Sequence, residues 1–129
     1  MTDLSSLIET AVSMLPRAYA PYSNYSVACS LVSMEGAIFS GVNLENAAYS
    51  LCICAETAAI AQMVASGQQR IRDLIVLAGD QKLCTPCGAC RQRIVEFSCA
   101  DTRIHFCDHR KVIETCDVDS LLPNAFHFS

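Results

Sequence analysis

The sequence predicts an α/β fold in three layers, with helices on both faces of a central mixed five-stranded sheet. Three observations carry this. Apolar residues recur at helical spacing near the start of the chain and in two later stretches led by cysteines. Short runs rich in β-formers lie between them, giving the order helix, hairpin, helix, strand, helix, strand, strand. Strand–helix–strand units favour parallel strands and the opening hairpin is antiparallel, so the sheet is mixed.

Leu4, Leu7, Ile8, Ala11 and Leu15 define a first helix, with Asp3 or Thr2 as its cap. Pro16 opposes a regular continuation, and Arg17-Ala18-Tyr19 can complete a last turn. Ala20-Pro21-Tyr22-Ser23-Asn24 reads as a loop. Tyr25, Val27, Cys29 and Leu31 then alternate on one strand face, Glu35-Gly36 marks a tight turn, and residues 37–42 return as the hairpin's second strand. Asn43 to Ser50 is a polar, irregular connection with potential for function. Good helix formers fill Cys54 to Val64, with Gly67 as the C-terminal cap. Leu74-Ile75-Val76-Leu77-Ala78 is a continuous apolar run, the mark of a central strand covered on both faces. After a loop, a helix from Cys87 to Ser98 buries Ile94, Val95 and Phe97. Arg103–Cys107 and Lys111–Thr115 complete the sheet, Asp119 caps a single turn through Leu122, and Pro123 to Phe126 form the tail. No repeat, low-complexity segment or linker interrupts the chain, so residues 1–129 read as one domain.

The composition is 52% hydrophobic and 17% charged, an apolar balance that suggests burial between subunits as well as within one. Nine basic residues face 13 acidic ones and no block of Lys or Arg occurs, which weighs against a nucleic-acid partner. The start of the chain lacks the pattern of a signal peptide, and no apolar stretch reaches transmembrane length, so no membrane partner is expected. Nine cysteines in that setting point to a reducing cytoplasm, where thiols bind metal or pack as small hydrophobes.

The chemistry concentrates in two motifs. Cys54-Ala55-Glu56 opens one helix, and Pro86-Cys87-Gly88-Ala89-Cys90 opens the next. Cys54, Cys87 and Cys90 supply three thiolates for one Zn2+ per chain and leave tetrahedral zinc an open position, as a catalytic site requires. Glu56 is the unspent carboxylate, suited to move protons to and from a hydrolytic water. Helix N-termini favour thiolate over thiol. Cys87 and Cys90 are one turn apart and share a side. Cys54 and Glu56 diverge in a regular helix, so both reach one pocket only if the helix begins at Cys54 or Ala55. The same thiols permit a closed structural site of Cys84, Cys87 and Cys90 with Cys52 or Cys54, though that leaves Glu56 and Pro86 without a role. Cys29, Cys52, Cys99, Cys107 and Cys116 read as buried packing residues, and His105, His109 and His127 lack ligand spacing.

Together with Asn43-Leu44-Glu45-Asn46-Ala47-Ala48-Tyr49 and the continuation Arg91-Gln92, these motifs resemble those of small, homotetrameric, zinc-dependent cytidine deaminases. The likeness runs nearly end to end, including Ala20-Pro21-Tyr22-Ser23 and Leu121-Leu122-Pro123 with Phe126. It implies the cytidine deaminase-like version of the three-layer fold, a nucleoside substrate, and active sites at subunit interfaces. It also implies deamination of cytidine and 2′-deoxycytidine to the uridine products, for pyrimidine salvage. By the same resemblance Glu56 is the proton shuttle, and Asn43 and Glu45 hydrogen-bond the ribose hydroxyls, with Leu44 between them in the substrate-binding segment. The Ala55 N–H contacts the base carbonyl, and Tyr25 stands where the family usually stacks a Phe on the pyrimidine. Ala47, Tyr49 and Phe126 reach the site of a neighbouring subunit.

The chain departs from the family in having Thr57 where many members place Arg after Cys-Ala-Glu. Zinc with three thiolates is a net anion, and that arginine offsets part of the charge. Here helix dipoles suffice or another cation, such as Arg91, substitutes. Alternative readings are a deaminase of blasticidin S or another modified pyrimidine nucleoside, and a non-catalytic zinc-bound interaction module.

Overall fold

The computed structural model describes residues 3–128. Asp3 caps the first helix, α1 (Leu4–Met14), its carboxylate accepting the Ser6 N–H at 2.9 Å; Thr2 lies outside the described residues. Leu7, Ile8 and Ala11 form the buried stripe of α1. At Pro16 the chain tightens into a 3-10 turn over Leu15–Arg17.

The hairpin follows as β1 (Val27–Ser33) and β2 (Ile38–Val42). Its turn needs Gly36, whose φ is +94°, a value that β-carbon sterics disfavour for other residues. Then come α2 (Ala55–Ala65), β3 (Ile71–Ala78), α3 (Gly88–Glu96), β4 (Arg103–Cys107), β5 (Val112–Cys116) and a short α4 (Val118–Leu121). Two caps refine the expectations. Gly67 takes φ +97° just past α2, as a C-terminal cap should. Asp117, rather than Asp119, caps α4, because its carboxylate accepts the Ser120 N–H at 2.9 Å while Asp119 falls inside the first turn.

The five strands form one sheet in the order β2-β1-β3-β4-β5. β3 and β4 pair in parallel, joined through α3; the other neighbours are antiparallel. β2 and β3 point the same way with β1 between them, so the β2–α2–β3 unit is parallel in direction without being adjacent. On one face α1 packs Leu7, Ile8 and Ala11 against Ala28, Val32, Ile75 and Leu77. On the other, α2 and α3 pack Ala59, Ile60, Met63 and Ile94 against Cys29, Leu31, Leu74 and Val76. This is the three-layer arrangement the sequence predicts.

β1 is buried more fully than the alternation of Tyr25, Val27, Cys29 and Leu31 on one face would require. Residues 28–33 are all buried, because α1 covers one face and α2 the other. The polar Ser30 is accommodated by a 2.9 Å hydrogen bond to the Ser40 hydroxyl on β2. Tyr25 lies ahead of the strand rather than in it. Of the cysteines expected to be buried, Cys29 and Cys107 are, Cys99 and Cys116 are half-buried, and Cys52 is exposed. His105 is buried between Asp73 and Thr115, with both ring nitrogens at 2.8 Å from their partners, a structural role.

Gly41 sets how closely α2 lies on the sheet. A β-carbon there would stand 2.5 Å from the Ala59 nitrogen, 2.6 Å from the Ala55 oxygen and 2.7 Å from the Ala58 β-carbon. Two of these are helix backbone and cannot swing aside. Gly41→Ala is therefore expected to destabilise the protein by about 1–3 kcal/mol in urea unfolding. Gly79→Ala, where the new β-carbon meets nothing nearer than 3.7 Å, should change stability by less than about 0.5 kcal/mol.

Candidate active site

The loops leading into α2 and α3 meet at a cavity of about 510 Å³. Cys54 is the N-cap of α2, with extended backbone at φ −76° and ψ 154°, and regular helix begins at Ala55. Cys87 holds the same place on α3, at φ −70° and ψ 168°. Each cap residue thus projects its sulfur from the end of a helix. Cys90, one turn into α3, is buried and projects toward the same point.

The Sγ atoms of Cys54, Cys87 and Cys90 all lie within 4.8 Å of one another, and Cys54 and Cys87 are 3.8 Å apart. Tetrahedral zinc with bonds of about 2.3 Å to sulfur places its ligands about 3.8 Å apart, so the trio fits this ion. Among the described residues no fourth cysteine, histidine or carboxylate joins the group. Cys84 and Cys52 line the cavity but stay outside the trio, so the closed four-thiol site is not formed.

Glu56 is 4% exposed and also lines the cavity. Burial raises its carboxyl above the usual carboxylate range. Among the described residues no cation pairs with it. A carboxyl shifted this way is better matched to taking and returning a proton near neutrality than an exposed one.

The thiols differ in their ionisation. Burial raises Cys54 and Cys90, and the Glu56 charge adds to both. Burial also pushes on Cys87, but the Cys90 N–H, the Cys90 and Cys54 thiols and the Ala89 N–H outweigh it and lower the thiol overall. The N-terminal amides of α3 are thus the visible source of thiolate stabilisation. Thr57 faces Cys90, with its hydroxyl 3.7 Å from the sulfur. Arg91 does not take the compensating role: its Nε donates to the Pro86 carbonyl at 2.9 Å and its Nη1 to the Leu121 carbonyl at 2.7 Å.

The cavity is also lined by Asn43 and Glu45. Leu44 is held from both sides by backbone, pairing with Tyr19 and with Ile53. In an extended segment alternate side chains share a side, so Asn43 and Glu45 face the cavity and Leu44, half-exposed, does not line it. The Asn43 amide donates to the Tyr25 carbonyl at 2.8 Å and accepts the Val27 N–H at 3.0 Å. Glu45 accepts the Ser23 hydroxyl and the N–H groups of Tyr22 and Ser23, and the Ser23 bond is the main reason its carboxyl is lowered. Tyr25 lines the cavity beside Cys84, and hydrogen bonding with that thiol, with burial, raises its phenol. Ala55, buried at the start of α2, completes the floor.

Tyr49 lines the cavity of its own chain and meets Tyr22 edge to face at 6.4 Å between ring centroids. Phe126 is 68% exposed and outside the cavity, its ring against Phe128 and its carbonyl accepting from Gln92 at 3.1 Å. Ala47 is exposed on the loop before Tyr49. The motifs did not single out Ile53 and Thr85 as wall residues. Each lies within two residues of a motif cysteine, which is the signal that could have found them.

Comparison with known proteins agrees with this geometry. Residues 1–106 match the family described as cytidine and deoxycytidylate deaminase zinc-binding region. The cytidine deaminase of Halalkalibacterium halodurans is 36% identical over 124 residues, covering 96% of this chain and 94% of that one. The cytidine deaminase of Mycoplasma genitalium is 37% identical over 125 residues, covering 96% and 95%. The crystal structure of cytidine deaminase from Burkholderia pseudomallei superposes with a TM-score of 0.89 at 35% identity, over 97% of this chain and all of that one. With a metal-competent thiol trio, a buried glutamate beside it and this likeness over nearly its whole length, the chain belongs to the zinc-binding cytidine and deoxycytidylate deaminase family.

Proposed function

We propose that the protein hydrolytically deaminates cytidine and 2′-deoxycytidine to uridine and 2′-deoxyuridine with release of ammonia, serving pyrimidine salvage. The observation that carries this is the placement of Glu56 and the Cys54–Cys87–Cys90 trio at a cavity that Asn43 and Glu45 also line. The relatives named cytidine deaminase support the substrate.

Cys54, Cys87 and Cys90 would hold zinc, which supplies the Lewis acidity that makes water acidic near neutral pH. Glu56 takes a proton from the attacking water and delivers it to the ring nitrogen beside the target carbon. It then carries a proton to the departing amine, so one carboxylate acts as base and then acid. The Ala55 N–H, free at the first turn of α2, suits the base carbonyl. Asn43 keeps one N–H and one lone pair after its two internal bonds, and Glu45 remains an acceptor; together they match a vicinal diol. Tyr25 offers a ring face to the pyrimidine.

We also propose a homotetramer with sites at subunit interfaces, in a cytoplasmic setting. Its support is exposed apolar surface at the cavity and next to it in sequence: the lining residues Tyr22 and Tyr49 are 51% and 77% exposed, and Leu51, beside the lining residue Cys52, is 61% exposed. Nine free thiols suit a reducing compartment.

Four outcomes test these readings. Loaded with zinc, the protein should convert cytidine and deoxycytidine in an absorbance assay and leave blasticidin S unchanged. Glu56→Gln should keep its zinc and lose turnover by on the order of 10²- to 10⁴-fold; full activity in that variant would remove the mechanism. Thr57→Arg should bind zinc and turn over at least as fast as the parent, measured as metal content and kcat. Leu51→Glu should shift the sedimentation mass from four chains toward fewer.

A further inference from the structure

We propose that Arg91 is a positioning residue for the metal site, fixing Cys87 at the head of α3 by tying the backbone beside it to the C-terminal segment. This rests on the reading that Cys54, Cys87 and Cys90 hold zinc.

Cys87 stands at the end of the loop that begins after β3, outside any sheet ladder. The residue before it is Pro86, which has no N–H to anchor the turn. Both carbonyls flanking the Cys87 α-carbon are instead held by one residue. The Arg91 backbone N–H donates to the Cys87 carbonyl at 2.9 Å, and its Nε donates to the Pro86 carbonyl at 2.9 Å. The same guanidinium reaches across 30 positions of sequence, Nη1 donating to the Leu121 carbonyl at 2.7 Å. Leu121 is 2% exposed and packed in the core shared by α2, α3 and the sheet, so it is a firm point of attachment. Its carbonyl also belongs to the last turn of α4, where no helical partner follows.

The planar fork of arginine suits this bridge, since separate N–H groups diverge toward two acceptors; a lysine ammonium is a point charge on a flexible stem. The neighbouring Gln92 donates to the Phe126 carbonyl at 3.1 Å. It fastens the tail further on and makes no side-chain hydrogen bond to the backbone at Pro86 or Cys87, so it serves as a comparison. Groups outside a metal's ligand set that orient its ligands are worth on the order of 10- to 100-fold in metal affinity.

The test uses the full-length, zinc-loaded parent with Arg91→Ala, Arg91→Lys and Gln92→Ala. Three quantities are read: the rate at which an excess chelating dye extracts zinc, the thiolate-to-metal absorption of the cobalt-substituted protein, and thermal unfolding of the metal-free protein. Arg91→Ala should lose zinc on the order of 10- to 100-fold faster and shift the cobalt band. Arg91→Lys, which keeps the charge but not the two-carbonyl span, should lie between it and the parent. Gln92→Ala should release zinc at the parent rate. A parent-like extraction rate and cobalt spectrum in Arg91→Ala would overturn the proposal, and so would equal acceleration in Gln92→Ala. If Arg91→Ala does not fold, a parent-like rate in Arg91→Lys overturns it. A parent that binds no zinc would instead defeat the metal-site reading beneath it.

Discussion

Where α2 begins decides whether the site exists. Successive residues of a helix turn by about 100°, so side chains two apart diverge. Cys54 and Glu56 escape this because Cys54 is extended and only Ala55 is helical. Two contacts hold that start in place. Gly41 lets the first turn of α2 lie against β2 with no intervening side chain. Just upstream, Ile53 exchanges hydrogen bonds with Leu44 at 2.8 and 2.9 Å. Leu44 is itself flanked by Tyr19, whose N–H donates to Asn43 at 3.0 Å and whose carbonyl accepts from Glu45 at 2.9 Å. This small ladder outside the main sheet registers both walls of the cavity. It delivers the chain to Cys54 and turns Asn43 and Glu45 inward.

The site gathers more negative charge than its surroundings neutralise. Three thiols and a carboxyl lie together, and Glu56 raises the Cys54 and Cys90 thiols. Ionising all of them without a cation is unfavourable, so metal entry and proton release are coupled. The protein eases that charge through backbone amides at the head of α3 and the Thr57 hydroxyl, neither of which carries a formal charge. Arg91, the cation adjacent to Cys90 in sequence, is spent on carbonyls. The site therefore relies on dipoles and on one hydroxyl, where a guanidinium would donate several hydrogen bonds and a full charge.

Much of this was legible in the sequence because the informative residues act locally. The offset of Cys54 and Glu56 already demanded a helix starting at Cys54 or Ala55, and it starts at Ala55; the run from Leu74 to Ala78 marked the middle strand. What was not legible depends on partners distant in sequence. Tyr25, Val27, Cys29 and Leu31 alternate like a half-buried strand, yet α1 covers the other face too, and no local pattern in β1 reports that. The helix cap moved from Asp119 to Asp117 because two acidic residues compete within one turn and only geometry selects. The roles of Arg91 and Ser23 rest on bonds to Leu121 and Glu45, which spacing along the chain does not reveal.

The chain holds enough thiols near the cavity to close the metal site, and the structure keeps them from doing so. Cys84 and Cys52 both line the cavity. A fourth thiolate would saturate tetrahedral zinc and leave no position for water. Cys84 is turned toward Tyr25, and burial raises its thiol. Cys52 is drawn to Asn46, accepting its N–H at 3.4 Å and donating to its carbonyl at 3.7 Å. Both diversions use residues of the same loops that bring Tyr25, Asn43 and Glu45 to the cavity. The loops that carry Tyr25 and Asn46 thus hold two further thiols apart from the Cys54–Cys87–Cys90 trio.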